Sequence, residues 1–343
     1  MSTGNRALIE IIHARIDNDG PQPFAWFMEQ ALYHPEHGYY SSGRVAIGRS
    51  GDYFTNVSVG PLFGRLLAQQ FAEVWRHVGK INNFAVVEQG PHHGEFARDV
   101  LEFSRRQMPD FFSAMQYQIV EPFTNLQDRQ SATLRDFTER VRWRSSLDQL
   151  ESFVGVHFSN ELLDAMPINL HGKLVGVDGE RFVFVDSVEE QITNQSQLDW
   201  VADLATKLER GLVFAIDYGF PATEFHQMIQ TRAKHRVLDS PFERIGEADI
   251  TAHVNWTDVA AAAERNGLRL AGFTDQHHFL TGLISAFPEM LDDEKSKREL
   301  QTLLHPEMLG RSFQVLCLAK DVDLGTPISG LKFARDANKE LGP

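Results

Sequence analysis

Seven short runs of apolar and β-branched residues punctuate the chain: FAVVE (84–88), YQIVE (117–121), VRWR (141–144), GVHFSN (155–160), LVFAIDYG (212–219), LRLAGF (268–273) and FQVLCLA (313–319). Most are almost continuously apolar, the pattern of strands buried on both faces. Amphipathic segments of helical period lie between most of them. GEFARDVLEFSRRQ follows the first run, FTNLQDRQSATLRDF follows the second, and NWTDVAAAAERNG precedes the sixth. The last of these has Asn255 as N-cap, Asp258 three residues on and Gly267 at the C′ position. Strands alternating with helices predict an α/β fold with a doubly wound, mostly parallel, seven-stranded sheet.

Three stretches break the alternation. Residues 1–83 are helical and loop-rich and precede the first strand. Residues 171–186 alternate around Asp178-Gly179, a strong hairpin signal. Residues 277–310 read as added helices. Together they predict elaborations around one nucleotide-binding core over 84–320, with residues 321–343 as a C-terminal tail. A separate N-terminal domain is the other organisation these patterns allow. The length of 343 residues agrees with either, since domains average roughly 150 residues.

Composition narrows the class. Apolar residues make up 42% and charged residues 23%, which excludes a disordered, collagenous or coiled-coil chain. No run of apolar residues is long enough for a membrane helix. The segment MSTGNRALIEIIHARIDNDG lacks the apolar core and cleavage site of a secretory signal. The single cysteine, Cys317, lies in an apolar run and reads as a buried, inert thiol. These features predict a cytoplasmic protein. The net charge of -14 argues against non-specific nucleic-acid binding and suits a cationic partner.

Candidate chemistry gathers where strands end. The first strand runs into Glu88-Gln89-Gly90-Pro91-His92-His93-Gly94, and a helix follows. A glycine turn there lets a ligand approach the backbone and meet the helix N-terminus. Glu88 favours a ligand with a cationic or donor group, and Glu121, ending the second strand, is in reach of ribose hydroxyls. Two such acids without a G-x-G-x-x-G fingerprint suit an adenosyl ligand that lacks phosphates, such as S-adenosyl-L-methionine (SAM). A turn that is merely tight would need the same glycines.

The segment HFSNELLDAMP places Asn160, Glu161 and Asp164 after the fourth strand. In a starting helix the two acids would share a face, whether to bind a ligand or to match the helix dipole. Asp217 ends the fifth strand at the same rim, and His253 is a candidate base. The block ALYHPEHGYYSSGRVAIGRSGDYFTNVSVGPLFG suits an ordered loop that closes over a site. The paired histidines 34/37, 92/93 and 277/278 match no metal-ligand spacing, so no metal is expected.

Taken together, the blocks LYHPEHGYYSSGR, SGDYFTNVSVGPLFG, VVEQGPHHG, SNELLDAMPI, IDYG, GEADITAHVNW and LLHPEMLGRSFQVLCLAK resemble the MidA-like family of SAM-dependent methyltransferases. That family has bacterial members and includes the arginine methyltransferase of mitochondrial complex I assembly. The resemblance covers about residues 23–320. It implies a class I, Rossmann-like core with an antiparallel seventh strand, SAM as cofactor, and residues 1–83 covering the cofactor site. It also implies a protein arginine as acceptor, on a respiratory complex I subunit. Carried over by position, Glu88, Gly90, His92 and Gly94 form the methionine-side turn and Glu121 takes the ribose. Ser146 and Leu147 lie by adenine, and Gly51, Asp52 and Thr55 close over the cofactor. Asn160, Glu161 and Asp164 line the acceptor path, and Asn160 also meets the cofactor. Two positions depart from the family: His92 stands for the middle glycine of G-P-G-x-G, and Val59 for an acid. A small-molecule O- or N-methyltransferase with His253 or His92 as base, and a non-catalytic binding protein, are the competing functions. The apolar N-terminal helical region suits a homodimer.

Overall fold

The computed structural model describes residues 2–42, 55–188, 192–234, 236–305 and 309–342. The chain divides into two compact units. One comprises Thr55–Leu162, Trp200–Phe225 and Val254–Pro343, and the other Met1–Phe54, Leu163–Asp199 and His226–His253. This division cuts across the boundary expected at residue 83.

The larger unit holds the seven expected strands: β1 (Phe84–Gln89), β2 (Met115–Val120), β3 (Val141–Arg144), β4 (Phe153–Asn160), β5 (Leu208–Phe220), β6 (Arg269–Asp275) and β7 (Phe313–Lys320). Their spatial order is β6-β7-β5-β4-β1-β2-β3. Every neighbour pair from β5 to β3 is parallel, while β7 is antiparallel to both β5 and β6. A short parallel strand, Val254–Asn255, adds to β5 at Gly219 and Phe220. The chain leaves β1 toward β2 and β3, then returns to the other side of β1 as β4. That reversal opens a crevice outside the carboxyl ends of β1 and β4.

Helices α1 (Leu62–His77), α2 (Glu95–Gln107), α3 (Thr124–Thr133), α4 (Trp256–Arg265), α5 (Gln276–Ala286) and α6 (Glu294–Leu304) belong to this unit. Helix α4 begins and ends as its sequence requires: Asn255 accepts from the Asp258 N–H, and Gly267 follows with φ 82°. Phe96 of α2 stacks on Phe158 of β4 at 4.3 Å, and Phe71 of α1 bridges Phe158 and Phe214. These rings are fully buried, and they fasten α1 and α2 to the sheet by apolar contact. Residues 321–343, expected as a tail, are tied down instead. Gly330 N–H donates to Gln70 of α1 at 2.9 Å, and Ile328 is fully buried.

In the smaller unit, helices Arg6–Asp19 and Phe24–Tyr33 pack on the hairpin Lys173–Asp178/Arg181–Asp186. The turn residues are Gly179-Glu180, one position on from the expected pair, with Gly179 at φ 59°. The hairpin does not join the large sheet. Its partner is Gln22–Pro23, and its apolar residues Val175 and Phe182 enter a core with Leu8, Ile12, Phe24 and Phe27. A lone hairpin leaves one apolar face uncovered, and these helices supply the cover. A second small sheet places Ile229–Ala233 between Arg236–Leu238 and Asp249–Ala252.

Candidate active site

Strand register gathers the candidate residues of the larger unit along one edge. Gln89 pairs with Val120 of β2 and with Ser159 of β4; Val120 pairs with Arg144, and Asn160 with Ile216. The next residues in each strand are therefore Gly90, Glu121, Ser145, Glu161 and Asp217. The carboxyl edge of the sheet carries the glycine turn, and three acids reach that edge from β2, β4 and β5.

The turn keeps the backbone of a glycine-rich loop despite His92. Gly90 has φ 75°, His92 φ 49° and Gly94 φ 84°. Histidine tolerates the left-handed region better than most residues, so the turn takes this left-handed path with His92 in it. The Gly94 N–H bonds back to Pro91 C=O at 2.8 Å, and α2 starts at the next residue. The His92 ring is held neutral. Burial first, then the neighbouring His93 and Arg129, push it down to about 3. Its Nε2 atom is buried with no hydrogen-bond partner among the described residues. An unpaired buried nitrogen on this turn is an observation that a bound ligand would explain.

Glu88 and Glu121 are both 4% exposed. Burial raises the Glu88 carboxyl to about 8, even though the Tyr117 hydroxyl donates to its Oε2 at 2.7 Å. Burial raises Glu121 to about 7, against donation from Phe123 N–H at 3.1 Å and Gln130 Nε2 at 3.1 Å. Gln130 of α3 was not anticipated. Its Nε2 also donates to His92 C=O at 2.8 Å, and its Oε1 accepts from Trp143 Nε1 at 3.0 Å. One fully buried side chain thus ties the glycine turn to the acid of the next strand. A polar residue in an amphipathic helix gives no sequence sign of pointing inward.

At the end of β4, Asn160 Nδ2 donates to Glu161 Oε1 at 2.8 Å. Glu161 adopts φ 54°, and its N–H continues the ladder to Ile216 C=O. No helix begins here, which corrects the expectation that Glu161 and Asp164 share a helical face. The left-handed residue turns the chain, and the following residues form turns and bends. Asp217 is fully buried and lies inside β5, since pairing with β7 and with Val254–Asn255 carries that strand on to Phe220. Ser146 and Leu147 follow β3 and open a 3-10 turn. Thr55 caps the short helix Asn56–Val59, which contains Val59, in a reciprocal bond with Ser58.

Two candidates belong to the smaller unit. Asp164 is buried, and its backbone C=O accepts from Ala252 N–H at 2.8 Å. His253 is half-buried, and burial lowers its pKa, which weakens it as a base. Gly51 and Asp52 lie outside the described residues. His92, His93 and Glu95 bring three ligand atoms within 4.8 Å of one another, a group that could hold a metal ion and that sequence spacing did not suggest. The Arg129 guanidinium, 3.2 Å from His93 Nε2, already places a cation beside that group.

Sequence and fold likeness to known proteins bears on what this chain is. A sequence profile of S-adenosyl-L-methionine-dependent methyltransferases matches residues 66–191 and 187–274. The protein arginine methyltransferase NDUFAF7 homolog, mitochondrial, of Drosophila melanogaster is 26% identical over 92% of this chain and 85% of its own length. Its human relative, protein arginine methyltransferase NDUFAF7, mitochondrial, is 24% identical over 89% of this chain and 81% of its length. A Burkholderia thailandensis structure bound to S-adenosyl-homocysteine aligns with a TM-score of 0.86 and 27% identity, covering 97% of this chain and 96% of that one.

Proposed function

This chain belongs to the S-adenosyl-L-methionine-dependent methyltransferase family, and on that premise we propose that it methylates an arginine side chain of a protein. Bound SAM supplies an electrophilic methyl group on a sulfonium. The residues that would hold it are Glu88, Gly90, His92 and Gly94 on the methionine side, Glu121 at the ribose, and Ser146 and Leu147 toward adenine. His92, neutral throughout the physiological range, adds no charge to repel a cationic cofactor.

The observation that carries the arginine reading is the Glu161 carboxylate, held by Asn160 at the end of β4, the strand beside the glycine turn. Arginine stays protonated, so an acceptor site for it needs a fixed carboxylate. Glu161 holds the guanidinium and aligns the attacking nitrogen, with Asp217 on the neighbouring strand as a second acid. Transfer would form the N–CH3 bond as the sulfonium C–S bond breaks, release S-adenosyl-homocysteine and give up one proton from the methylated nitrogen. The Drosophila and human relatives are named protein arginine methyltransferases, which supports the same acceptor. Histidine-base chemistry on a small molecule is disfavoured, because burial depresses both His92 and His253. The reading extends to a reducing, cytoplasmic setting, supported by the lone Cys317 buried in β7, and to a respiratory complex I subunit as the acceptor protein.

The test is methyl transfer from labelled SAM to arginine peptides, read by mass spectrometry. Glu161→Gln is expected to lower kcat about 100-fold and leave SAM affinity unchanged. An unaltered kcat would remove Glu161 from the acceptor site.

A further inference from the structure

A line of side-chain amides runs behind Glu161. Gln276 Nε2, at the start of α5, donates to Asn56 Oδ1 at 2.8 Å. Asn56 Nδ2 donates to Asn160 Oδ1 at 2.8 Å, and Asn160 Nδ2 donates to Glu161 Oε1 at 2.8 Å. Gln276 and Asn56 are fully buried. At the far end, Gln276 Nε2 also donates to the Leu303 C=O of α6 at 3.2 Å.

The two ends decide which way every amide faces. A backbone carbonyl only accepts, so Leu303 fixes the Gln276 NH2 group toward itself and toward Asn56. Asn56 must then receive with its oxygen and give with its nitrogen. Asn160 must do the same, which leaves its NH2 group facing Glu161. Reversing any one amide would oppose two oxygens or two NH2 groups, and at the fully buried Gln276 and Asn56 that is costly. We infer that Gln276 and Asn56 are positioning residues that act through Asn160 to hold the Glu161 carboxylate in place for catalysis. The inference rests on the reading that Glu161 meets the acceptor. It also gives the helices added over 277–310 a task, since α5 and α6 anchor the line.

The discriminating variant is Asn56→Asp. The introduced carboxylate still accepts from Gln276, but its second oxygen faces Asn160 and draws that amide around. Glu161 then meets a carbonyl oxygen instead of an NH2 donor. Losing a hydrogen bond to the charged form raises a carboxyl pKa. The expected result is that the Glu161 carboxyl titrates about one pH unit higher or more, read by carboxyl-13C NMR, with the resonance assigned by its absence in Glu161→Gln. The acidic limb of kcat moves up with it, and kcat at neutral pH falls about tenfold while SAM affinity holds. Gln276→Met, which removes the anchor without adding charge, is expected to move the same titration in the same direction by less. If both variants fold and the Glu161 titration matches wild type, the positioning inference is overturned. If the titration moves but Glu161→Gln keeps full kcat, positioning stands and the arginine-holding reading falls.

Discussion

Glu88 carries a conflict between stability and binding. In the folded protein its carboxyl is raised to about 8 by burial, against an ordinary value of 4.5. The folded state therefore keeps a proton between those values that the unfolded chain has released. Stability from this group falls as pH rises through that window, and the penalty is complete above pH 8. Replacing Glu88 with Gln keeps a partner for the Tyr117 hydroxyl and removes the charge. At pH 9 the variant is expected to melt about 4 °C higher or more, with little change near pH 5. A cationic cofactor favours the ionised form, so SAM affinity in the wild type is expected to climb as pH rises toward 8. Calorimetry in buffers of different ionisation enthalpy reads the released proton. In Glu88→Gln the climb shrinks to the part due to Glu121, raised to about 7. A flat affinity from pH 6 to 9 in the wild type would exclude Glu88 from the cofactor site. At this scale the sequence was informative about acids and glycines, because a strand end followed by a glycine turn is a local pattern. Gln130, Asn56 and Gln276 were not legible, since their partners lie on elements remote in sequence.

Elements formed where local signals agreed. The seven apolar runs became the seven strands of the large sheet, and the caps of α4 fell at Asn255 and Gly267. Where a signal needed a partner, the outcome moved. Glu161 and Asp164 were expected on one helical face; instead Glu161 is itself left-handed and Asp164 follows it outside any helix, because the strand ladder reaches one residue further. Helix α3 shows what an element adds to a site: it delivers Gln130 to the glycine turn and to Glu121 together. Gln130→Leu leaves both acceptors short of a donor, while leucine suits the helix. The expected outcome is a loss of about tenfold in SAM affinity by isothermal titration with unchanged far-UV circular dichroism. Unchanged affinity would mean the tie is structural only.

For the whole molecule, the charge of -14 sets how a basic substrate arrives. An acidic surface attracts an arginine-bearing peptide over about 10 Å at 0.1 M salt, and over less as salt rises. The KM for such a peptide is expected to increase several-fold between 50 and 500 mM salt with kcat held, and a salt-independent KM would argue for a neutral acceptor. By itself the sequence determined the α/β class, the strand set, the antiparallel seventh strand implied by the family resemblance, and the glycine turn with its two flanking acids. Each is written in short-range periodicity or in a contiguous motif. The tertiary structure alone decided that the hairpin joins the N-terminal helices rather than the sheet, and that residues 321–343 pack down. It alone decided that Gln130 and the line from Gln276 to Glu161 hold the carboxylates. Those outcomes depend on which buried faces and buried polar groups find each other across long stretches of chain, and no local pattern encodes that pairing.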